Sequence, residues 1–310
     1  DPSKRGSYYI SNMRGKSWQT RVGLTYSKTL SDNGSILTLN VGANANRSNS
    51  NNNSFSGIGF LKGNLTDMAF ANSYPANGHP SGSESLSSSV GVYGNLNIIF
   101  LNRYFVDGAY RVSGSSKFGK DKRFAPFWSV GMGWNAHNES FLSDLGWFNI
   151  FRIRGSVGYT GSVNFSDYQA ITTYTYNQDN YYLHGMGAVP KQMGNKDLTW
   201  QSTKTHNIGL NADFWDSRFS ITFDYYIKTT DDLLIDQTIP PSIGETAVKS
   251  NLGKQRNKGY EFDIAAVLVQ NKDWRFSLKL NGAHNKNKIL AISNALAAAN
   301  DKANASSEGK

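Results

Sequence analysis

Residues 207–228 have the sequence NIGLNADFWDSRFSITFDYYIK, in which apolar and polar side chains alternate on both sides of a short turn. Ile208 and Leu210 occupy alternate positions before the turn, and Phe219 and Ile221 do so after it. Successive side chains of a β-strand point to opposite faces, so the stretch predicts an antiparallel hairpin with one apolar and one polar face. Each arm is long enough to cross a bilayer at a tilt, for which about 9–11 residues suffice.

The same alternation recurs along most of the chain. A soluble β-sandwich would show this pattern in any one hairpin, so the repetition is what carries weight. With the hairpin, the recurring segments predict an all-β fold, the wall of an antiparallel transmembrane β-barrel of about ten strands within residues 1–290. The other alternating segments are residues 16–27, 35–47, 86–100, 104–113, 128–135, 151–159, 260–268 and 274–281.

Composition excludes several other classes of protein. The chain has 310 residues and no cysteine, which rules out disulfides and thiolate chemistry. No apolar run approaches the roughly 18 residues that a membrane-spanning helix needs. The net charge of +9 comes from lysines and arginines dispersed through loops and polar faces. This dispersion predicts a solvated basic surface, with contacts to outer-membrane lipid phosphates as the alternative, and no nucleic-acid partner.

The lengths of the connections assign a direction to the strands. Short connections near residues 32, 102, 216 and 271 alternate with long ones. Outer-membrane barrels have short periplasmic turns and longer extracellular loops, so the first strand should run towards the periplasm. We expect a small hairpin above the membrane within 162–197. The predicted extracellular loops are residues 48–85, 114–123, 162–197 and 229–258, and 291–310 are predicted to form a loop or weakly helical tail.

Several motifs follow one another in an order that is informative. They include residues 114–120 (GSSKFGK), 127–134 (FWSVGMGW), 152–161 (RIRGSVGYTG), 194–200 (GNKDLTW) and 251–262 (NLGKQRNKGYEF). Together they resemble the SusC/RagA family of TonB-dependent outer-membrane transporters, over most of residues 86–290. The resemblance implies a plugged barrel in the outer membrane of a Gram-negative bacterium that imports bulky nutrients, either oligosaccharides or peptides. It also implies energy from TonB and a SusD-like surface lipoprotein as partner.

The number of strands differs from that of the family. Plugged transporters of this size class have about 22 strands, and about ten are predicted here. An open sheet in lipid would leave two unpaired edges, which a bilayer does not tolerate. We therefore expect this chain to be an internal part of a larger barrel, without its plug or TonB-contacting segment.

Charged residues on the polar strand faces are the candidate lumen-facing positions, which would line the water-filled interior or contact the plug, with cargo contact as the alternative. They are Asp107, Arg111, Arg152, Arg154, Asp224, Lys228, Glu261 and Asp263. Aromatic residues in the predicted loops could stack on sugar rings or pack the loops themselves. They are Phe55, Tyr74, Tyr181 and Tyr182.

The sequence offers little support for a catalytic, metal-binding or cofactor-binding motif. Residues 114–120 differ from a phosphate-binding loop because Asp121 stands where Ser or Thr would hold magnesium. Asp231, Asp232 and Asp236 lack the spacing of a calcium-binding loop, and no nucleophile elbow is present. The sequence therefore predicts no enzyme, cofactor or metal. The alternative functions are a secreted or surface glycan-binding adhesin, with its apolar faces turned inward, and a barrel enzyme.

Overall fold

The computed structural model describes residues 6–60, 67–75, 78–182, 185–239, 242 and 247–292. Within them strands dominate, and the one α-helix, α1, covers only Ser140–Ser143. No helix of this described part has the length and apolarity needed to cross a membrane. The strands are β1 Ser7–Ser31, β2 Ser35–Ile58, β3 Ser81–Phe100, β4 Tyr104–Ser115, β5 Phe124–Asn135, β6 Phe148–Ser162, β7 Thr173–Tyr182, β8 Gly185–Gln192, β9 Gln201–Phe214, β10 Phe219–Thr238, β11 Ala247–Gln270 and β12 Arg275–Ala291.

Ten of these strands form one antiparallel sheet in the order β1-β2-β3-β4-β5-β6-β9-β10-β11-β12. Each strand pairs with the next, as in a barrel wall, and β1 and β12 lie at the two edges. Strands β7 and β8 form a separate two-stranded sheet inserted between β6 and β9. The structure thus confirms the predicted partial antiparallel barrel of ten strands, and it contains a small hairpin within residues 162–197.

Tight turns join the strands at one end of the sheet, here called the short-turn end. Leu101 and Asn102 have φ values of 56° and 57°, and Asp216 and Ser217 have values of 55° and 57°. Positive φ at successive turn residues matches the right-handed twist of paired strands, which explains why these hairpins close so tightly. The turns predicted near residues 32, 102, 216 and 271 are all present. The opposite end, here called the long-loop end, carries the long connections.

Two predicted loops are shorter than the sequence indicates, because the strands continue into them. Strand β2 runs to Ile58 and β3 begins at Ser81, so much of 48–85 is paired strand. Likewise β10 extends to Thr238 and β11 begins at Ala247, inside the predicted loop 229–258. The extensions of β2 and β3 are rich in Asn and Ser, and in the extension of β10 the apolar residues Leu233, Leu234 and Ile235 are consecutive. The apolar alternation that identifies the rest of the sheet is therefore missing in both regions.

Side-chain hydrogen bonds hold the polar extension of β1 to β3 together. Ser54 Oγ lies 2.8 Å from Ser81 Oγ across β2 and β3, and Ser11 Oγ donates to Asn52 Oδ1 at 2.9 Å across β1 and β2. Cross-strand pairs of this kind stabilise a sheet by roughly 0.2–1 kcal/mol each. The predicted tail is corrected at its start, since Ala291 is the last residue of β12. Residues 293–310 lie outside the described part of the chain.

Candidate functional site

The register of the sheet places all eight predicted lumen-facing residues on one face. In antiparallel strands, directly paired residues share a face. Arg154 pairs with Gly209, Gly209 with Asp224, and Asp224 with Glu261, which links four strands in one row. The same ladders connect the remaining members of the set to this row: Asp107, Arg111, Arg152, Lys228 and Asp263. We call this side of the sheet the polar face.

The opposite side of the sheet is apolar and exposed. Val92 is 64% exposed, Met132 is 62% exposed and Ile208 is 64% exposed. Tyr104 pairs with Trp134 on this side, and other aromatic residues lie near the strand ends as well. A secreted adhesin would bury such faces in a core, so the exposed apolar side contradicts that alternative. Ten strands with one apolar and one charged face fit a wall between lipid and water.

An ion pair on the polar face joins β6 to β10 across β9. Arg154 Nη2 donates to Asp224 Oδ2 at 2.7 Å, and Arg154 Nε donates to Asn211 Oδ1 at 3.1 Å. A Cβ atom at Gly209 would lie 2.7 Å from Asp224 Oδ1, so the glycine makes room for this bridge. Because the two charges cancel, the pair ties three strands together and offers no net charge to a ligand.

Arg111 has different surroundings. Its Nε donates to Ser113 Oγ at 2.7 Å and its Nη2 donates to Asn44 Oδ1 at 2.7 Å. The guanidinium lies 5.7 Å from the centre of the Tyr93 ring. A Cβ atom at Gly91 would come within 2.4 Å of Nη2, so this glycine is required for the guanidinium to reach Asn44. The result is an arginine held by neutral partners beside a cavity of ≈ 610 Å³.

The other candidates on the polar face have modest local partners. Asp107 accepts from Asn97 Nδ2 at 2.6 Å. Arg152 Nε donates to Asn135 Oδ1 at 2.7 Å. Lys228 Nζ lies 4.7 Å from the ring centre of Tyr226, a neighbour on the same strand.

Acidic residues cluster towards β11. Glu261 lies directly opposite Asp224, and Asp263 lies one step further along the same face. Both line a cavity of ≈ 380 Å³ with Thr222 and Asn281. No group of three or more His, Asp or Glu side chains able to hold a metal ion occurs among the residues that the structure describes.

The three aspartates considered for calcium are neutralised or separated. Lys254 Nζ lies 2.7 Å from Asp231 Oδ1, and Lys249 Nζ lies 2.6 Å from Asp236 Oδ1. Burial first, and then the charge of Asp231, raise the pKa of Asp232 above its ordinary value. Asp231 and Asp236 are thus already paired with lysines, so the three carboxylates do not form a set of unpaired ligands for calcium.

A compact aromatic cluster packs at the long-loop end, and the strand pattern does not indicate it. Phe118 is only 2% exposed, and its ring centre lies 4.6 Å from Trp200 and 5.2 Å from Phe165. Trp200 packs in turn on Phe127 at 5.3 Å. We call Phe118, Phe127, Phe165 and Trp200 the loop cluster. Phe118, Phe127 and Trp200 come from three of the motif segments, 114–120, 127–134 and 194–200, and Phe165 lies in the connection after β6. The cluster therefore brings together segments that are distant in the sequence.

Comparisons with known proteins agree with this geometry. The family described as TonB dependent receptor-like, beta-barrel matches residues 3–309. The chain belongs to this family. It is 34% identical to the TonB-dependent receptor SusC of Bacteroides thetaiotaomicron over 213 residues, which are 66% of this chain and 21% of SusC. It is 28% identical to the TonB-dependent receptor P39 of Formosa agariphila over 277 residues, which are 89% of this chain and 26% of P39.

Solved structures give the same assignment for this receptor barrel. The RagAB peptide transporter matches with a TM-score of 0.84 and 26% identity, covering 92% of this chain and 31% of that chain. The predicted SusC/RagA resemblance is confirmed, and the receptor chain is an outer-membrane β-barrel protein of Gram-negative type. It spans only about a fifth to a third of the length of these relatives. Outer-membrane barrels have long extracellular loops and short periplasmic turns, so we expect the long-loop end to be extracellular and the short-turn end periplasmic.

The loop aromatics of the receptor are distributed differently from the prediction. Phe55 is in β2 and pairs with Ile10, so its assignment to a loop is wrong. The strand was missed because apolar alternation is absent around Phe55. Tyr74 lies in the extracellular connection and is 58% exposed. Tyr181 and Tyr182 belong to β7, and their side chains lie outside the described part. Contact of these residues with cargo stays a prediction.

One carboxylate organises the periplasmic end of the receptor. Glu139 Oε1 accepts from Tyr104 Oη at 2.8 Å and from Trp134 Nε1 at 3.2 Å, and Oε2 lies 3.0 Å from Arg103 Nη1. The hydrogen bond from Tyr104, then that from Trp134, lower the pKa of Glu139. Glu139 therefore anchors two aromatic residues of the membrane boundary to the β5–β6 connection.

Proposed function

We propose that this chain forms part of the wall of a TonB-dependent outer-membrane importer of bulky nutrients. The observation that carries the proposal is the continuous ten-stranded sheet with one exposed apolar face and one charged face. Lipid would cover the first face and a water-filled, plugged interior would lie against the second. The family match over nearly the whole chain supports TonB as the source of energy.

A SusD-like surface lipoprotein is the proposed partner, because the relatives include SusC and a chain of the RagAB transporter. The extracellular end of the wall would suit such a contact, since the segment at residues 198–199 is held firmly against β11. Leu198 is 0% exposed, and Asn251 Nδ2 donates to the Thr199 carbonyl at 3.0 Å while Asn251 Oδ1 accepts from Thr199 N–H at 2.9 Å. A rigid rim gives a lid a defined surface on which to close.

The proposed cargo is an oligosaccharide or a peptide. The RagAB neighbour is described as a peptide transporter, and the SusC relative as a TonB-dependent receptor. Either cargo would meet a polar face rich in amides, hydroxyls and arginines. Tyr74, exposed at the extracellular rim, could stack on a sugar ring.

The test is an uptake experiment with the full-length receptor in its native host. Cells with and without the receptor gene would be given fluorescent mixtures of oligosaccharides or of peptides, with TonB present or depleted. We expect accumulation of one mixture to require both the receptor and TonB, and the receptor to co-purify with a surface lipoprotein. Uptake that is independent of TonB, or a receptor found in the soluble fraction, would contradict the proposal.

A further inference from the structure

Two arginines on the polar face of β1–β4 have no acidic partner. Arg21 lies directly opposite Asn44, the residue that accepts from Arg111 Nη2. Both arginines line the same ≈ 610 Å³ cavity. Neither forms an ion pair with any carboxylate in the described part of the chain. The nearest acid on β4, Asp107, is four residues from Arg111, about 13 Å along a strand, and is bonded to Asn97.

Arg111 is held in place in a way that leaves its charge available. Ser113 and Asn44 take two of its N–H groups, and a guanidinium has five. The remaining donors suffice for a two-pronged contact with a planar carboxylate. Two glycines build this arrangement: Gly91 makes room for the guanidinium, and a Cβ at Gly42 would lie 2.6 Å from the hydroxyl of Tyr93, the ring beside Arg111.

Arg154 provides the contrast on the same face. Its guanidinium also bonds an asparagine, but its Nη2 is taken by Asp224 at 2.7 Å. If the arginines of the wall served only to tie strands together, we would expect Arg111 to have a carboxylate partner, as Arg154 has. An immobilised arginine without an acid, beside an open cavity that a second unpaired arginine also lines, is instead complementary to an anion supplied from outside this sheet.

We propose that Arg111, assisted by Arg21, binds a carboxylate group of the imported molecule as it passes along the wall. This proposal deepens the proposed function and rests on it, because the bound molecule is taken to be the imported one. The binding of a carboxylate at Arg111 does not itself depend on transport. The carboxylate could be that of a uronic acid in an oligosaccharide or the terminal carboxylate of a peptide. A carboxylate of the receptor's own plug is the competing occupant.

Equilibrium binding to the purified full-length receptor in detergent tests the site. The probes are trigalacturonate with its methyl ester, and trialanine with its C-terminal amide. We expect the wild-type receptor to prefer the acid in one pair, which also assigns the source of the carboxylate. Arg111→Gln should weaken binding of that acid by roughly 10- to 100-fold and leave its neutral counterpart unchanged, because a charge-assisted contact is lost.

Lys279→Gln is the matched control, since it removes the same charge from the same face at a distance from the cavity. Its acid preference should equal that of the wild type. Equal affinity for acid and neutral probes in both pairs, including no binding of either, overturns the proposal. An Arg111→Gln receptor that binds the acid as tightly as the wild type also overturns the proposal. If that variant binds normally but unfolds at a lower temperature without ligand, a plug carboxylate occupies the site. These measurements need neither TonB nor a partner, so failure of uptake and failure of this site are separable.

Discussion

Glu139 shows how much one residue can organise at the membrane boundary. Because its pKa is lowered in the folded protein, its carboxylate stabilises the fold above the ordinary value of 4.5, and this contribution is lost as the pH falls through the lowered value. Glu139→Gln mimics the protonated state. We expect the variant to unfold at a lower temperature than the wild type at pH 7, and the difference to shrink as the pH falls through the lowered pKa of Glu139. Thermal unfolding of the full-length receptor in detergent, followed by tryptophan fluorescence, measures it.

Asp144→Asn is the control, because it lies in the same connection and is exposed, outside these contacts. A difference between Glu139→Gln and wild type that stays constant as the pH is lowered from 7 until the carboxylate is protonated would contradict the assigned role.

At the scale of single residues, the sequence predicts on which face of the sheet a side chain lies better than it predicts which groups surround that side chain. Parity along a strand is enough to place Arg111 and Arg154 on the polar face. It cannot distinguish an arginine neutralised by Asp224 from one held by Asn44, because these partners are 70 and 67 residues away in the chain. That difference depends on the strand order and register, which only the assembled sheet supplies.

At the scale of one strand, β5 allows a direct test of the two faces. Val130 is on the apolar face and 41% exposed, and the adjacent Ser129 is on the polar face, opposite Ala109 and Gly158. Val130→Arg should cost ~2–4 kcal/mol near the bilayer midplane and reduce assembly. Ser129→Arg places the same side chain in the interior and should assemble normally, as should Arg152→Ala. Heat-modifiable mobility of the full-length receptor on gels reports assembly, and equal assembly of both arginine variants would show that the assigned faces are wrong.

The loop cluster is the element that the strand pattern could not predict. Alternation identifies strands that have one face in lipid, and Phe118 lies in a connection where no such period exists. The extensions of β2 and β10 were assigned to loops for the same reason, since neither shows apolar alternation.

Removing the centre of the loop cluster should loosen the extracellular end while the barrel still assembles. Phe118→Ala deletes a side chain that is 2% exposed, for which a cost of about 3–5 kcal/mol is typical. We expect faster cleavage of connections 116–123 and 163–200 by protease added to intact cells. Phe124→Ala, at a position 65% exposed, is the control and should resist cleavage as the wild type does. Unchanged protection in Phe118→Ala would show that the cluster does not hold these connections.

At the scale of the whole molecule, the two edges of the sheet show that further strands must pair with it in the membrane. In hydrocarbon, each unpaired backbone N–H or C=O costs several kcal/mol. About ten residues of each edge strand would lie in the bilayer, which leaves roughly ten such groups on the outer side of β1 and as many on β12. The sum of these costs exceeds the stability of any ordinary domain, about 5–15 kcal/mol. Further strands must therefore cover both edges in the membrane.

Those strands could come from the same polypeptide or from other copies of this one, and a mass measurement separates the two. This chain covers only 21–31% of the length of its relatives, which favours further strands in the same polypeptide. We expect the native protein, extracted from outer membranes in detergent and measured intact, to have about three times the 34.2 kDa of this chain or more. A polypeptide of 34.2 kDa would contradict that expectation, and several copies would then have to close one barrel, with β12 of one copy pairing with β1 of the next.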